Sequence, residues 1–264
     1  MQQLLDIMAR LRDKEKGCPW DVEQDFKSIA PYTLEEAYEV VDAIEKQDMG
    51  ALREELGDLL LQVVFHSQMA SEEKIFDFND VVEAVCDKLV RRHPHVFGEA
   101  EIKTAEAQTA SWEAIKAGER AGKAKDEPVS ILDDVPHAFP ALLRAMKLQK
   151  RAAKVGFDWG ALEPIFDKLQ EETAELRYEI ETDAPMTALT DEMGDILFVC
   201  VNLARQIGVD PEEALRATNR KFERRFRHVE NMLRNEPGGL EAATLEQMDA
   251  LWNEAKAQEK AGAE

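Results

Sequence analysis

The sequence predicts an all-α protein built from two copies of one helical unit. Ala, Glu, Leu, Lys and Arg dominate the 264 residues, and aromatic residues make up only 7%, a composition typical of helices. No alternating strand pattern runs for a usable length. Apolar residues recur instead at helical spacing in both halves, as in Leu4, Leu5, Met8 and Leu11 and in Ile165, Phe166, Leu169, Leu176 and Ile180.

The duplication is visible in four pairs of motifs that keep their order along the chain. The spacing between the members of each pair drifts by only a few residues, as expected for a tandem repeat. The paired segments are 35–39 with 171–175, 55–58 with 192–195, 88–92 with 221–225, and 112–116 with 252–256.

The boundary between the copies is expected where apolar periodicity is lost. Small and charged residues fill this stretch, which is typical of a linker. We therefore predict an N-terminal domain at 1–118, a linker at 119–130 and a C-terminal domain at 131–264. The first helix of the second domain is expected to begin at about Pro140.

Net charge and cysteine usage exclude several classes of protein. The formal charge is −21, which would repel nucleic acids and anionic lipid surfaces. Three cysteines are far apart and odd in number, which indicates reduced thiols and a cytoplasmic location. No signal peptide or membrane-spanning segment is evident in the sequence.

Each copy carries four acidic residues that are expected to meet on a helical hairpin. In an antiparallel helix pair, residues that face each other have equal sums of residue numbers, and both copies satisfy this rule. The centres of the hairpins fall near Gln47 and at 183–184, where turns are expected. The four acids are Glu36, Glu39, Glu55 and Asp58 in the first copy, and Glu172, Glu175, Glu192 and Asp195 in the second.

Four carboxylates on one patch indicate a site for a divalent cation. Like charges so close would raise each other's pKa unless a cation lay between them. Oxygen ligands without His or Cys select Mg²⁺, Mn²⁺ or Ca²⁺. Long apolar runs follow Asp58 and Asp195, so these helices are expected to be buried nearly all round, with close backbone approach at Gly57 and Gly194.

Simpler readings of the acids remain open. Acidic pairs on helices usually form a solvated face, and Thr33-x-x-Glu36 matches a capping box at a helix start. A ferritin-like di-iron site would require Glu-x-x-His motifs, and none is present. A non-catalytic helical module whose acidic face binds metal or a protein partner is the remaining alternative.

Basic and aromatic residues follow the acids along the chain in both copies. Lys221 and Arg225 share a helix face, as do Lys88 and Arg92, and such cations could neutralise a metal-bound polyphosphate. The alternative is a solvated helix face with partners such as Glu223. Trp112 and Trp252 could stack on a base or fill core, and Trp20 and Trp159 could shape the mouth of a pocket.

These motifs together resemble the MazG family of nucleoside triphosphate pyrophosphohydrolases. Its pattern is a Glu-Glu-x-x-Glu helix followed by a Glu-x-x-Asp helix, which occurs twice here, beginning at Glu35 and Glu55 and again at Glu171 and Glu192. Segments 17–21 and 91–97 are also similar to two-domain bacterial members. The resemblance covers essentially the whole chain.

The resemblance implies a fold, an activity and a set of residues. The fold would be all-α, a homodimer formed through four-helix bundles. The activity would be Mg²⁺-dependent hydrolysis of ribo- and deoxynucleoside triphosphates to monophosphate and diphosphate, with the second domain catalytic and the first mainly structural. Glu172, Glu175, Glu192 and Asp195 would bind the metal, and the nucleotide would contact Lys168, Glu171, Lys221, Arg225 and Trp252.

Overall fold

The computed structural model describes residues 1–100, 102, 104–123 and 130–261. Every regular element in these ranges is a helix, so the all-α prediction is confirmed. The chain divides into two compact units, Met1–Lys123 and Ala124–Glu264, each described here by itself. Within the described residues, no helix combines the length and apolar character needed to cross a membrane.

Among the described residues, unit 1 contains seven helices and unit 2 contains six, and five in each unit have ten residues or more. Those of unit 1 are α1 (Gln2–Leu11), α2 (Pro19–Glu23), α3 (Phe26–Glu45), α4 (Met49–Glu72), α5 (Phe78–Arg92), α6 (Pro94–Phe97) and α7 (Ala105–Lys123). Those of unit 2 are α8 (Ala141–Ala153), α9 (Glu163–Glu181), α10 (Met186–Gln206), α11 (Pro211–Leu233), α12 (Gly239–Ala242) and α13 (Leu245–Ala261).

Aspartates start several of these helices by capping free backbone N–H groups. Asp25 accepts hydrogen bonds from the N–H groups of Lys27 and Ser28 at the start of α3. The capping-box reading of Thr33 is therefore wrong, because Thr33 lies inside α3 and its hydroxyl contacts Nε2 of His66 at 3.1 Å. The further caps are Asp48 on α4, Asp77 on α5 and Asp210 on α11.

Two antiparallel hairpins form the centre of the units, α3–α4 in unit 1 and α9–α10 in unit 2. Their turns lie where the sequence predicts them. Gln47 adopts φ 57° in the first turn, and Asp183 adopts φ 54° in the second. These left-handed residues reverse the chain within three or four residues, which sets the register between the acids on either arm.

The cores of the two units contain corresponding side chains. Unit 1 is centred on Met8, Ile29, Val64, Phe65 and Met69. Unit 2 buries Met146, Ile165, Val199 and Val201. The equivalence of Met8 with Met146, Ile29 with Ile165 and Val64 with Val201 extends the repeat from the motifs to the packing.

The predicted linker overlaps the end of a helix. Helix α7 continues to Lys123 and therefore includes 119–123, while 124–129 lie outside the described residues. The exact domain boundaries stay a prediction. Helix α5 ends at Arg92, just before Pro94, whereas α11 continues to Leu233.

Candidate metal centre

Three carboxylates of unit 2 meet between the arms of its hairpin. Glu172 on α9 and Glu192 and Asp195 on α10 each offer an oxygen, and these oxygens all lie within 4.8 Å of one another. Glu172 is only 4% exposed, and Oε2 of Glu192 is buried without a hydrogen-bond partner. Acids in such proximity, one of them buried, are unfavourable unless a cation or a proton neutralises part of their charge.

The fourth predicted acid, Glu175, lies beside this group. Burial and a hydrogen bond with Glu172 raise the pKa of Glu175. Burial also raises the pKa of Glu192, with further contributions from the charges of Glu175, Glu172 and Asp195. All four acids of the second copy therefore influence one another across the hairpin.

Lys168 supplies positive charge at one edge of this group. Its Nζ lies 2.7 Å from Oε1 of Glu171 and 2.7 Å from Oε1 of Glu172. The hydrogen bonds to these two glutamates raise the pKa of Lys168, so the ammonium stays charged at neutral pH. Lys168 and Glu171, which the resemblance assigns to the nucleotide, therefore lie at the acidic group.

The first copy assembles a related group on α3 and α4. Oxygens of Glu36, Glu39 and Glu55 lie within 4.8 Å of one another. The pKa of Glu36 is raised mainly by burial and then by the negative charge of Asp58. The pKa of Glu55 is raised mainly by burial and then by the negative charge of Glu39. Glu36 is more exposed than Glu172, and the position of Lys168 is held by Tyr32.

Arg225 and Trp252, two of the remaining predicted nucleotide contacts, form a different cluster on α11 and α13, and Lys221 also lies on α11. Arg225 donates from Nε and Nη2 to Oε2 of Glu259 at 2.9 and 2.8 Å. Its guanidinium lies 5.5 Å from the ring centre of Trp252. Glu223, which the sequence suggested as a partner for the cations of this face, forms its ion pair with Arg227.

The same cluster occurs in unit 1. Arg92 pairs with Glu119 at 2.6 Å, and Nε1 of Trp112 donates to the carbonyl oxygen of Arg92 at 3.0 Å. Hydrogen bonds from Arg92 and then Arg91 lower the pKa of Glu119 to about 2. An arginine held by a glutamate against a tryptophan is therefore a shared structural feature of both units.

The expectation that the acidic helices are buried all round is wrong within this chain. Leu56 is 49% exposed and Leu197 is 50% exposed. An added Cβ at Gly57 or Gly194 would meet no atom within 4 Å, so the predicted close backbone approach is also absent there. Apolar periodicity identifies a face that avoids water, but it does not identify what covers that face.

Sequence reasoning missed a cavity in unit 2. Its volume is about 480 Å³. It is lined by Leu132, Leu148, Gln149, Ala152, Gly156, Phe157, Asp158, Trp159, Phe198, Asn202 and Arg205. Gln149 and Asn202 are 7% and 4% exposed, and glutamine and asparagine at core-facing helical positions were the signal that could have revealed it.

Comparison with known proteins supports the family assignment. The MazG nucleotide pyrophosphohydrolase domain matches twice, at residues 24–97 and 162–230. A nucleoside triphosphate pyrophosphohydrolase of Escherichia coli K12 is 53% identical over 98% of both chains. A nucleoside triphosphate pyrophosphohydrolase/pyrophosphatase MazG of Thermotoga maritima is 42% identical over 97% of this chain and 95% of its own.

A third relative matches a shorter part of the chain. A nucleoside triphosphate pyrophosphohydrolase of Mycobacterium tuberculosis is 41% identical over 59% of this chain and 46% of its own. Both acidic groups fall inside the segments that the family domain matches, whereas Trp159 and Trp252 fall outside them.

Proposed function

Because this chain belongs to the MazG family, we propose that it hydrolyses nucleoside triphosphates to monophosphates and diphosphate. We further propose that the acidic group of unit 2 is the active site. One observation carries the second proposal: Glu172, Glu192 and Asp195 offer oxygens within 4.8 Å of one another. Lys168 lies at the edge of this group, 2.7 Å from Glu172.

The same residues fit a divalent cation. Their donors are all carboxylate oxygens, which suit Mg²⁺ and, as a substitute, Mn²⁺. Oxygen Oε2 of Glu192 lacks a partner, and the pKa of Glu192 is raised by burial and neighbouring negative charge. Glu172, Glu192 and Asp195 would hold the ion with Glu175 beside them, and the bound ion would withdraw charge from phosphate oxygens.

The residues around this site would bind the phosphates and activate the attacking water. Lys168 would bind a phosphate oxygen as a point charge. A carboxylate of the group would orient a water molecule and accept its proton as the water oxygen bonds to the α-phosphorus. The bond from that phosphorus to the oxygen bridging to the β-phosphorus breaks, and diphosphate leaves. Lys221 and Arg225 would stabilise the charge of the polyphosphate, and Trp252 would contact the nucleotide.

We also propose that the active form is a homodimer and that it accepts ribo- and deoxynucleotides. Large apolar side chains remain exposed on α9 and α10, among them Phe166 at 47% and Leu197 at 50%. A second copy of this hairpin would bury such a face as a four-helix bundle. The names of the relatives specify neither base nor sugar, which supports broad specificity.

Product analysis tests the proposed function. The full chain is incubated with ATP or dATP and Mg²⁺, and the products are separated by chromatography. We expect AMP or dAMP with an equal amount of diphosphate, and no turnover after chelation of the metal. Formation of ADP and phosphate would exclude cleavage at the α-phosphorus. Turnover of no nucleotide would instead favour the non-catalytic, metal-binding interaction module.

A further inference from the structure

The cavity of unit 2 has two aromatic side chains at its mouth. Phe157 is 82% exposed and Trp159 is 46% exposed, and both line the cavity together with Phe198 of α10. An aromatic ring so open to water is unfavourable unless a ligand or another surface covers it. Flat apolar faces of this kind suit a planar ring system.

One hydrogen-bond acceptor in the cavity is buried and unpartnered. Gln149 is 7% exposed, and its Nε2 donates to the carbonyl oxygen of Phe198 at 2.8 Å. Its Oε1 has no partner. Because a carbonyl oxygen only accepts hydrogen bonds, the contact with Phe198 fixes the orientation of the amide. The free group must therefore be an acceptor that requires an N–H or O–H donor.

The corresponding region of unit 1 also has a cavity, of about 390 Å³, but Leu11 lines it where unit 2 has Gln149. Aligning Leu4 and Met8 of α1 with Leu142 and Met146 of α8 places Leu11 at the position of Gln149. The spacing of the acidic motifs likewise places Phe65 at the position of Asn202. Phe65 is 4% exposed and belongs to the core of unit 1.

At both positions, therefore, unit 1 has a large apolar side chain and unit 2 has an amide. Buried amides are unfavourable in a core unless they are paired. In unit 2, Oδ1 of Asn202 accepts from Arg205, whose guanidinium also pairs with Asp158 at the cavity wall. Two buried amides thus line the cavity of unit 2, whereas apolar side chains hold both positions in unit 1.

The cavity lies next to the acidic group along α10. Asp195, Phe198 and Asn202 are separated by three and four residues, so they share one face of the helix. Phe198 lies about one turn, or ~4.5 Å, from Asp195 along the axis. In a nucleoside triphosphate, only the sugar separates the base from the α-phosphate, so a molecule with its phosphates at Asp195 can place its base here.

We propose that this cavity binds the nucleobase of the triphosphate substrate, with the base among Phe157, Trp159 and Phe198 and a base N–H donating to Oε1 of Gln149. The inference rests on the proposed function, because the phosphates are bound at the acidic group. Every common base carries an exocyclic amino group or a ring N–H. A single unpartnered acceptor in a mainly apolar cavity therefore selects for a base without selecting strongly among bases.

Substitutions that restore the residues of unit 1 test this proposal. In Gln149→Leu the acceptor is lost, and in Asn202→Phe the cavity is filled. The readouts are KM for ATP and the inhibition constant of inorganic triphosphate, which has no base. We expect KM to rise about tenfold in Gln149→Leu and further in Asn202→Phe, with the triphosphate constant unchanged.

A matched control comes from unit 1. Gln62 is also 7% exposed with an unpartnered Oε1, so Gln62→Leu should alter neither constant. Thermal unfolding verifies that each variant is folded. If Asn202→Phe does not fold, Gln149→Leu alone tests the proposal. A folded Gln149→Leu that leaves KM unchanged, or that raises both constants equally, would overturn the assignment of the cavity.

Binding of a nucleoside separates this proposal from the proposed function. Adenosine has no phosphate and needs no catalysis. We expect adenosine to quench the tryptophan fluorescence of the full chain, and Trp159→Phe to remove that quenching. This result would support the base site even if no triphosphate were hydrolysed. Quenching that persists in Trp159→Phe and is lost in Trp252→Phe would place the base at α13 and contradict the proposal.

Discussion

The two acidic groups have the same residue types on the same hairpin but different surroundings. In unit 2, Glu172 is 4% exposed and bound by Lys168 at 2.7 Å. In unit 1, Glu36 is more exposed, and Tyr32 replaces the lysine. The charge of Asp58 contributes to the raised pKa of Glu36 after burial, and no cation contributes.

The surroundings differ further along the helices. Unit 2 has a cavity with Gln149 and Asn202 in its wall, whereas Leu11 and Phe65 hold these positions in unit 1. The comparison teaches that the acidic motif alone does not distinguish an active copy from an inactive one. A site for a nucleotide also needs a cation for the phosphates and a hydrogen-bond acceptor for the base, and we propose that unit 2 provides both.

The largest expected effect comes from removing one buried carboxylate in each copy. We predict that Glu172→Gln lowers kcat for ATP by at least about 100-fold, because a ligand at the site of charge development is lost. Glu36→Gln should change kcat by less than about twofold, since it lies in the copy without the lysine and the amide-lined cavity. Steady-state assays at saturating Mg²⁺ measure kcat for both variants. Similar losses in the two variants would contradict the assignment of catalysis to unit 2 alone.

Exchange of the lysine between the copies should give the next largest effect. In Lys168→Tyr the residue of unit 1 replaces the cation. We expect kcat/KM to fall by roughly 10- to 100-fold, because a charge-assisted contact to phosphate is lost. Tyr32→Phe is the matched control and should leave kcat/KM unchanged. A normal kcat/KM in Lys168→Tyr would show that Lys168 does not contribute to binding the phosphates.

The stability of unit 2 should depend on pH and metal together. The pKa values of Glu175 and Glu192 are raised in the fold, so the folded state binds protons more tightly than the unfolded state. Without metal, stability should therefore fall as the pH rises through these raised pKa values. Mg²⁺ binds the ionised form, so it should raise the unfolding temperature at pH 7.5 by several degrees and by much less near pH 4.5.

Thermal unfolding of the full chain measures this dependence. Glu192→Gln removes one of the repelling charges, so the variant should lose most of the stabilisation by Mg²⁺ while being no less stable without it. The matched control is Glu55→Gln in unit 1, which should retain the stabilisation. A response to Mg²⁺ that is the same at both pH values would contradict the involvement of these carboxylates.

The smallest effect concerns the glycines within the acidic helices. An added Cβ at Gly57 or Gly194 would meet nothing within 4 Å, so Gly→Ala at either position should increase the free energy of unfolding by about 0.5–1 kcal/mol. Denaturant unfolding with sedimentation measures this change and the oligomeric state. Destabilisation together with dissociation would show that a second chain packs on the glycine.

Much of the fold follows from the sequence because helices have a regular period. The hairpin turns at Gln47 and Asp183 were predictable from the equal sums of the facing acids. The start of α3 was not, because Thr33-x-x-Glu36 matches a capping box although it lies inside the helix. Asp25 caps the helix, and Thr33 lies two turns inside it.

The candidate site was predictable only in part. Spacing placed Glu172, Glu192 and Asp195 together, since it depends on one hairpin. The cavity depends on how α8 packs against α10, which periodicity does not determine. Exposure of Leu197 was also missed, because an apolar side chain can face either the core or a partner.

One measurement tests the central claim most directly, that the second copy alone forms the catalytic metal site. Crystals of the full chain are grown with Mn²⁺ and an ATP analogue whose α- and β-phosphorus atoms are joined by a methylene group, and anomalous scattering locates the metal. We predict an ion bound by Glu172, Glu192 and Asp195 with the analogue's phosphates beside it. An analogue and ion bound instead at Glu36 and Glu55, or no ion among the acids of unit 2, would contradict the account.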